Sequence, residues 1–277
     1  MTELSLCTLH AIVSGMSTLR WGLSLSLTGE LAEPALIADV AVSAEAAGWD
    51  GVFVWDHLWH RTGEPFADPW VTLAAVAGAT ERVRIGPLVT PLPRRRPQVV
   101  AQQAATLDRL SGGRLTLAFG LGSDKYGEYS AFGEPLTDAR SRAEHLDSGL
   151  ELLVSALTGE PVRSAGDHLT TVACVQRPRC PIWVAGRAGR SAGPRRAARH
   201  GLEGVALVGR SEWTPRDVVE ALAAGSFAPG AIDVALVGGT HPDPGALAAA
   251  GATWAVLEVL PGATGADAMR RASTPAW

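Results

Sequence analysis

Short apolar, β-branched runs alternate with helical segments along almost the whole chain, and no other feature of the sequence constrains the fold as tightly. Arg20 to Leu27 sets Leu23, Leu25 and Leu27 on one face and Gly22, Ser24 and Ser26 on the other, the period of two that marks a strand. Pro34 opens an alanine-rich helical segment that Gly48 ends. Gly51 to Trp55 is the second strand, and Asp68-Pro69 caps and starts a helix running to about Ala79. Val83 to Thr90, a helix from Pro97 to Leu110, and Arg114 to Phe119 continue the pattern. A loop over Ser123 to Pro135, a helix over Asp138 to Leu157, and a turn-rich stretch between Gly159 and Pro181 then interrupt it. That last stretch reads as a small hairpin outside the main sheet, an insertion between strands 4 and 5. Ile182–Ala185, Gly204–Val208, Ile232–Val237 and Trp254–Val259 supply four more strands. Eight strand and helix alternations predict an α/β fold of the (β/α)8 TIM barrel type, with parallel pairing and right-handed crossovers. Residues 20–277 form one domain in this reading. Residues 1–19 read as a disordered extension in which Met16 is an alternative start.

Composition removes several classes of function. A net charge of -4 offers no basic excess for nucleic acid or anionic lipid, so neither partner is expected. Cys7, Cys174 and Cys180 are odd in number and lack zinc-ligand spacing, which predicts neither a disulfide framework nor a metal and points to a reducing, cytoplasmic compartment. No apolar run reaches the ~18 residues of a membrane span. Arg94-Arg95-Arg96, and the arginines from Arg187 to Arg199, read as solvated clusters.

In a parallel barrel ligands bind at the carboxyl ends of the strands. The second strand ends on Asp56-His57, which makes these the first candidates for chemistry, although each residue type is often structural. His60 would join His57 only on a helical turn, and two histidines without a third ligand do not make a metal site. Trp55, Trp59 and Trp70 fall near the same strand end and offer walls for an apolar or aromatic ligand. Gly120-Leu121-Gly122 is not a dinucleotide fingerprint, since Lys125 stands where its last glycine belongs, yet small residues there let a ring or phosphate approach the backbone. Ala185-Gly186-Arg187-Ala188-Gly189-Arg190 lies between a strand and a helix, where backbone N–H groups and two arginines can converge on a phosphate.

Four segments together resemble the bacterial luciferase-like monooxygenase family of flavin- and deazaflavin-dependent barrels. They are Ala46 to His57, Arg82 to Pro91, Thr106 to Arg114 and Pro181 to Gly186, so the resemblance spans nearly all of the chain from Arg20 onward. It implies FMN, or alternatively coenzyme F420, at the strand ends. His57 is similar to the family's functional histidine, Thr90 to its wall against the flavin ring, and Gly186, Arg187 and Arg190 to its phosphate-holding turn. The excursion after the sixth strand is short here, about Gly209 to Pro215. The first expectation is therefore a monooxygenase using reduced FMN and oxygen on a small organic substrate, with His57 oriented by Asp56, a flavin reductase as partner, and a homodimeric state. Two alternatives are an F420-dependent oxidoreductase that transfers hydride without inserting oxygen, and a flavin-binding barrel without turnover. A metal-dependent hydrolase is disfavoured because the first strand ends without a ligand pair.

Overall fold

A computed structural model describes residues 19–58, 63–164 and 167–275. The expectations for residues 1–18, Trp59 and His60 lie outside the described residues. The barrel strands are β1 (Arg20–Leu25), β2 (Gly51–Val54), β3 (Arg84–Pro87, resumed at Thr90–Pro91), β4 (Leu117–Gly120), β5 (Ile182–Arg187), β6 (Gly204–Val208), β7 (Asp233–Val237) and β8 (Trp254–Val259). Between and after them run α1 (Pro34–Ala46), α2 (Pro69–Ala79), α3 (Pro97–Leu110), α4 (Ala139–Ala156), α5 (Ala192–His200), α6 (Pro215–Gly225), α7 (Pro244–Ala249) and α8 (Gly265–Ala272). All pairings in this sheet are parallel, and β1 bonds to both β2 and β8. Backbone bonds from Ile85 N to Arg114 O (3.0 Å) and Thr116 N to Ile85 O (2.9 Å) bring β3 against β4 and close the circuit. The third strand is broken by a cis peptide between Leu88 and Val89. A two-stranded antiparallel pair, Val162–Ser164 with Asp167–Leu169, stands apart from the barrel.

Helix boundaries follow the expected chemistry. Asp68 accepts from the N–H groups of Trp70 and Val71 at 2.9 Å, and Thr214/Asp217 and Thr264/Asp267 form reciprocal capping boxes at α6 and α8. At the amino end of the barrel the Arg114 guanidinium donates to the carbonyls of Ala77 (2.8 Å), Thr80 (2.9 Å) and Val83 (3.1 Å), satisfying the open end of α2. Buried Asp108 accepts from Val175 N (2.6 Å) and Gln176 Nε2 (2.7 Å), which ties α3 to the segment before β5. Cys174 and Cys180 are buried free thiols in that segment, 3.8 Å apart.

The two faces of each strand serve two cores. Leu23, Leu25, Val52, Val54, Val184 and Val205 face the helices, whereas Phe53, Trp183, Trp254, Ala206, Ala235 and Val256 fill the barrel. Phe53, Trp183 and Trp254 meet with ring centroids 5.7 to 5.9 Å apart. Glycines make room for them: a Cβ at Gly51 would lie 2.8 Å from the Phe53 ring, and one at Gly204 only 2.3 Å from Trp183 Cδ1. The aromatic rings occupy the half of the barrel where β5, β6 and β8 begin. Space remains at the carboxyl ends. Replacing Gly204 by Val should therefore lower stability by about 1–3 kcal/mol through overpacking. Gly78→Ala, on α2 with nothing within 4 Å of the added methyl, should raise it by roughly 0.5–1 kcal/mol. Urea unfolding of the two variants checks both signs.

Candidate active site

The second strand delivers Asp56 and His57 to the carboxyl end of the barrel, and the structure gives the two residues different work. Asp56 is 1% exposed, so its charge must be paired where it sits. Arg95 meets it with Nε to Oδ2 at 2.9 Å and Nη2 to Oδ1 at 2.8 Å, a bidentate pair. Arg94 adds Nη2 to Oδ1 at 2.7 Å, and the Thr90 hydroxyl donates to Oδ2 at 2.8 Å. Arg94 and Arg95 are thus not a solvated cluster. The short helical turn Leu92–Arg94 after the third strand points them inward, and only Arg96 of the three is exposed. Thr90 does not line the cleft as expected, because its hydroxyl is turned into Asp56; Leu88, Val89 and Pro91 form the wall there.

His57 is oriented by Glu128 and not by Asp56. Nδ1 lies 3.1 Å from Glu128 Oε2, and the other carboxylate oxygen accepts from Leu58 N and Arg94 Nη1, both at 2.8 Å. An acceptor at Nδ1 selects the tautomer that carries its proton there, which leaves the lone pair of the neutral ring on Nε2. The imidazole is 30% exposed, whereas the Glu128 side chain is 3% exposed. Burial by itself raises the Glu128 carboxyl, but hydrogen bonding and charge from His57, the charge of Arg94 and the Leu58 N–H together hold it below its ordinary value. Trp55 and Phe66 pack on the ring at centroid distances of 5.7 and 5.9 Å.

These residues edge a cleft of about 270 Å³ lined also by Leu88, Val89, Pro91, Gly122, Val208, Val237 and Glu258. Trp70 is not among its walls: it lies between α2 and α3 on the outside of the barrel. Gly120 sits behind the wall, where a Cβ would be 3.0 Å from Val89, and Gly122 carries the glycine-only backbone (φ +65°) beneath Pro91 and Tyr129. A second cleft, of about 120 Å³, holds Arg187, Gly189, Arg190 and Ser191 at the amino end of α5. Gly186 and Gly193 let that helix start directly on β5, since a Cβ at Gly193 would fall 2.6 Å from Gly186 Cα. Arg187 and Arg190 of the expected anion turn line this cleft together with the carboxylates of Asp217 and Glu220, whereas Ala185 and Gly186 lie behind it.

Glu128, Arg94 and Arg95 were not assigned to the site by sequence reasoning. Glu128 lies in an aperiodic loop 71 positions after its histidine, and nothing local announces the pairing. The family model for luciferase-like monooxygenases matches residues 16–263. The chain belongs to that family. It is 36% identical over 193 residues to an F420-dependent glucose-6-phosphate dehydrogenase of Beutenbergia cavernae, covering 67% of this chain and 56% of that protein. A dehydrogenase of the same name from Intrasporangium calvum is 38% identical over 177 residues, or 61% of this chain and 52% of that one. The chain thus spans about half the length of these relatives. Among solved structures, the coenzyme F420-dependent tetrahydromethanopterin reductase from Methanopyrus kandleri superposes with a TM-score of 0.71 at 17% identity, covering 93% and 98% of the two chains. The monooxygenase RslO1 from Streptomyces bottropensis gives 0.68 at 20%, over 92% and 96%. At that identity the likeness is one of fold.

Removing Arg94 would leave two buried carboxylates short of a partner, so Arg94→Ala should cost about 3–5 kcal/mol of stability in denaturant unfolding. Glu128 has a depressed carboxyl in the folded chain, so its contribution is complete above pH ~4.3 and is lost as pH falls further. In acid titration monitored by circular dichroism, Glu128→Gln should remove part of that low-pH dependence.

Proposed function

We propose that the protein is a coenzyme F420-dependent oxidoreductase that interconverts an alcohol and a carbonyl compound by hydride transfer, with His57 as the proton acceptor and donor. The observation that carries this reading is the Glu128–His57 pair, an imidazole backed by a buried carboxylate at the edge of an apolar cleft. Relatives named as F420-dependent dehydrogenases favour F420 over the FMN and oxygen that the family resemblance first suggested.

The residues fit such a cofactor on two counts. The Leu88, Val89, Pro91 and Gly122 wall is apolar, which suits a fused ring, and the close approach at Gly122 leaves no room for a side chain there. The α5 amino end, with Arg187 and Arg190 exposed beside it, offers donors to a phosphate, and the two carboxylates that share its cleft, Asp217 and Glu220, are already paired with Arg210 and Arg216. Bound there, the deazaflavin supplies a two-electron hydride acceptor or donor. The chain does the rest. As hydride leaves the carbinol carbon, the hydroxyl proton passes to His57 Nε2, and the substrate becomes the ketone or aldehyde. Glu128 stabilises the imidazolium formed, and the buried Asp56 and Arg94 fix Glu128 in place. Trp55 and Phe66 pack on the imidazole, and Trp55 also lines the cleft.

Titration with F420 and with FMN, followed by ligand fluorescence, tests the cofactor. F420 should bind in the micromolar range or tighter while FMN binds far more weakly, and preferential FMN binding with oxygen-dependent reoxidation would overturn the reading. His57→Ala should retain F420 while turnover falls about 10²–10⁴-fold, the usual weight of a general acid–base group. Unchanged turnover would remove His57 from the role.

A further inference from the structure

The cleft is divided by chemistry as well as by strand. Along β3, β6 and β7 it presents Leu88, Val89, Pro91, Val208 and Val237. Its opposite side carries His57 after β2 and Glu258 on β8; between them, buried behind the lining, lie Ser24 of β1 and Ser26 just past its end. Ser24 and Glu258 are register partners, and in parallel strands such partners project to the same face. That face is the barrel interior, because Val256 and Trp254, which alternate with Glu258, belong to the inner core.

Ser24 and Ser26 are fully buried, and neither hydroxyl has a hydrogen-bond partner among the described residues. The Glu258 carboxyl rests on Gly238, at the end of β7, where a Cβ would lie 2.1 Å from Oε2, so the glycine is what lets it sit there. Burial alone pushes this carboxyl above the ordinary carboxylate range, with no neighbouring charge contributing to the shift. Sequence reasoning placed β8 correctly but gave its last glutamate no role. A carboxyl held on a cleft wall without an ion-pair partner costs stability unless something compensates it.

We propose that Glu258 is a specificity-determining residue that hydrogen-bonds a second polar group of the substrate, and that the substrate is a small uncharged diol or hydroxy-ketone rather than a sugar phosphate. The inference rests on the F420-dependent reading and names the substrate class of that same site. One oxygen of the ligand meets His57, the apolar arc takes the cofactor ring and the carbon skeleton, and the second oxygen meets Glu258 with the β1 serines beside it. A phosphate dianion fits poorly here. It is recognised by several donors or by cationic side chains, whereas the described wall sets a carboxyl in its way and includes neither lysine nor arginine. The sugar-phosphate activity named for the relatives would therefore not carry over, although the chain shares the fold with them.

The test uses the full chain loaded with F420. Cyclohexane-1,3-diol and cyclohexane-1,4-diol serve as probes, cyclohexanol as the single-hydroxyl control and glucose 6-phosphate as the anionic one. Binding is read from the change in F420 fluorescence, and turnover is read separately. At least one diol should bind and turn over with a KM roughly tenfold below that of cyclohexanol, about the weight of one good hydrogen bond. Glu258→Leu should erase that advantage mainly through KM, and Glu258→Gln, which keeps an uncharged hydrogen-bonding group, should restore most of it. Thermal unfolding confirms that both variants are folded. Tighter binding of glucose 6-phosphate than of the diols overturns the proposal, as does binding of no diol, or diol binding unchanged by Glu258→Leu. Failure of the wild-type chain to bind F420 in the first titration strikes instead at the cofactor reading.

Discussion

A closed barrel of this size encloses a volume that only its own side chains can fill, and the rest of the molecule follows from how that volume is divided. Three large rings, Phe53, Trp183 and Trp254, take the amino half. Aromatic side chains bury about 150–250 Å² each, so three of them supply much of the inner core, to which β1 adds Arg20 stacked 4.5 Å over Trp254, with the small Gly22 and Ser24 following on the same face. Glycine at positions 22, 51 and 204 is the complement of those rings. With the lower half plugged, the strand ends on the other side become the only part of the axis where a ligand can be admitted among the described residues. The cleft is where the packing stops.

The buried carboxylate of Asp56 sets the chemistry of the opening. Removing an ion from water costs several kcal/mol even after relaxation, and attraction at an effective dielectric of about 20 returns roughly 4 kcal/mol per close pair. Two guanidiniums and a hydroxyl on one carboxylate therefore do little more than offset the desolvation. What they secure is position. Asp56 joins the end of β2 to the turn after the third strand, and Arg94 carries that rigidity on to Glu128 and so to His57. The imidazole is held in place by an arrangement that is close to neutral in stability.

How much of this was readable follows from which interactions are local. Strands and helices were placed well because their signals are local: alternation in β1, Asp68-Pro69 at α2, and Gly112-Gly113 after α3 each act within a few residues. Where two local signals met, at Val83 to Thr90, the continuous strand expected proved to be broken at Leu88-Val89. The site was half legible. His57 followed from its position at a strand end, but its partner did not, since Asp56 beside it is consumed by arginines and Glu128 comes from a distant loop. Arg94 and Arg95 were misjudged because exposure of an arginine cannot be told from its neighbours in sequence. Several residues that carried the family resemblance, Asp108 and Arg114 among them, serve the amino end of the barrel, where they close helix ends and hold the connection to β5. They identify the scaffold and not the reaction.

Arg94 touches both acids of the cluster, and the sum of charges it completes has a consequence of its own. Among the described residues, the carboxylates of Asp56 and Glu128 are matched by the guanidiniums of Arg94 and Arg95, so these four charges sum to zero. A proton on His57 would add one positive charge to this cluster. A bound molecule is then held more or less firmly according to its own charge at that instant, with the strongest effect where water is excluded.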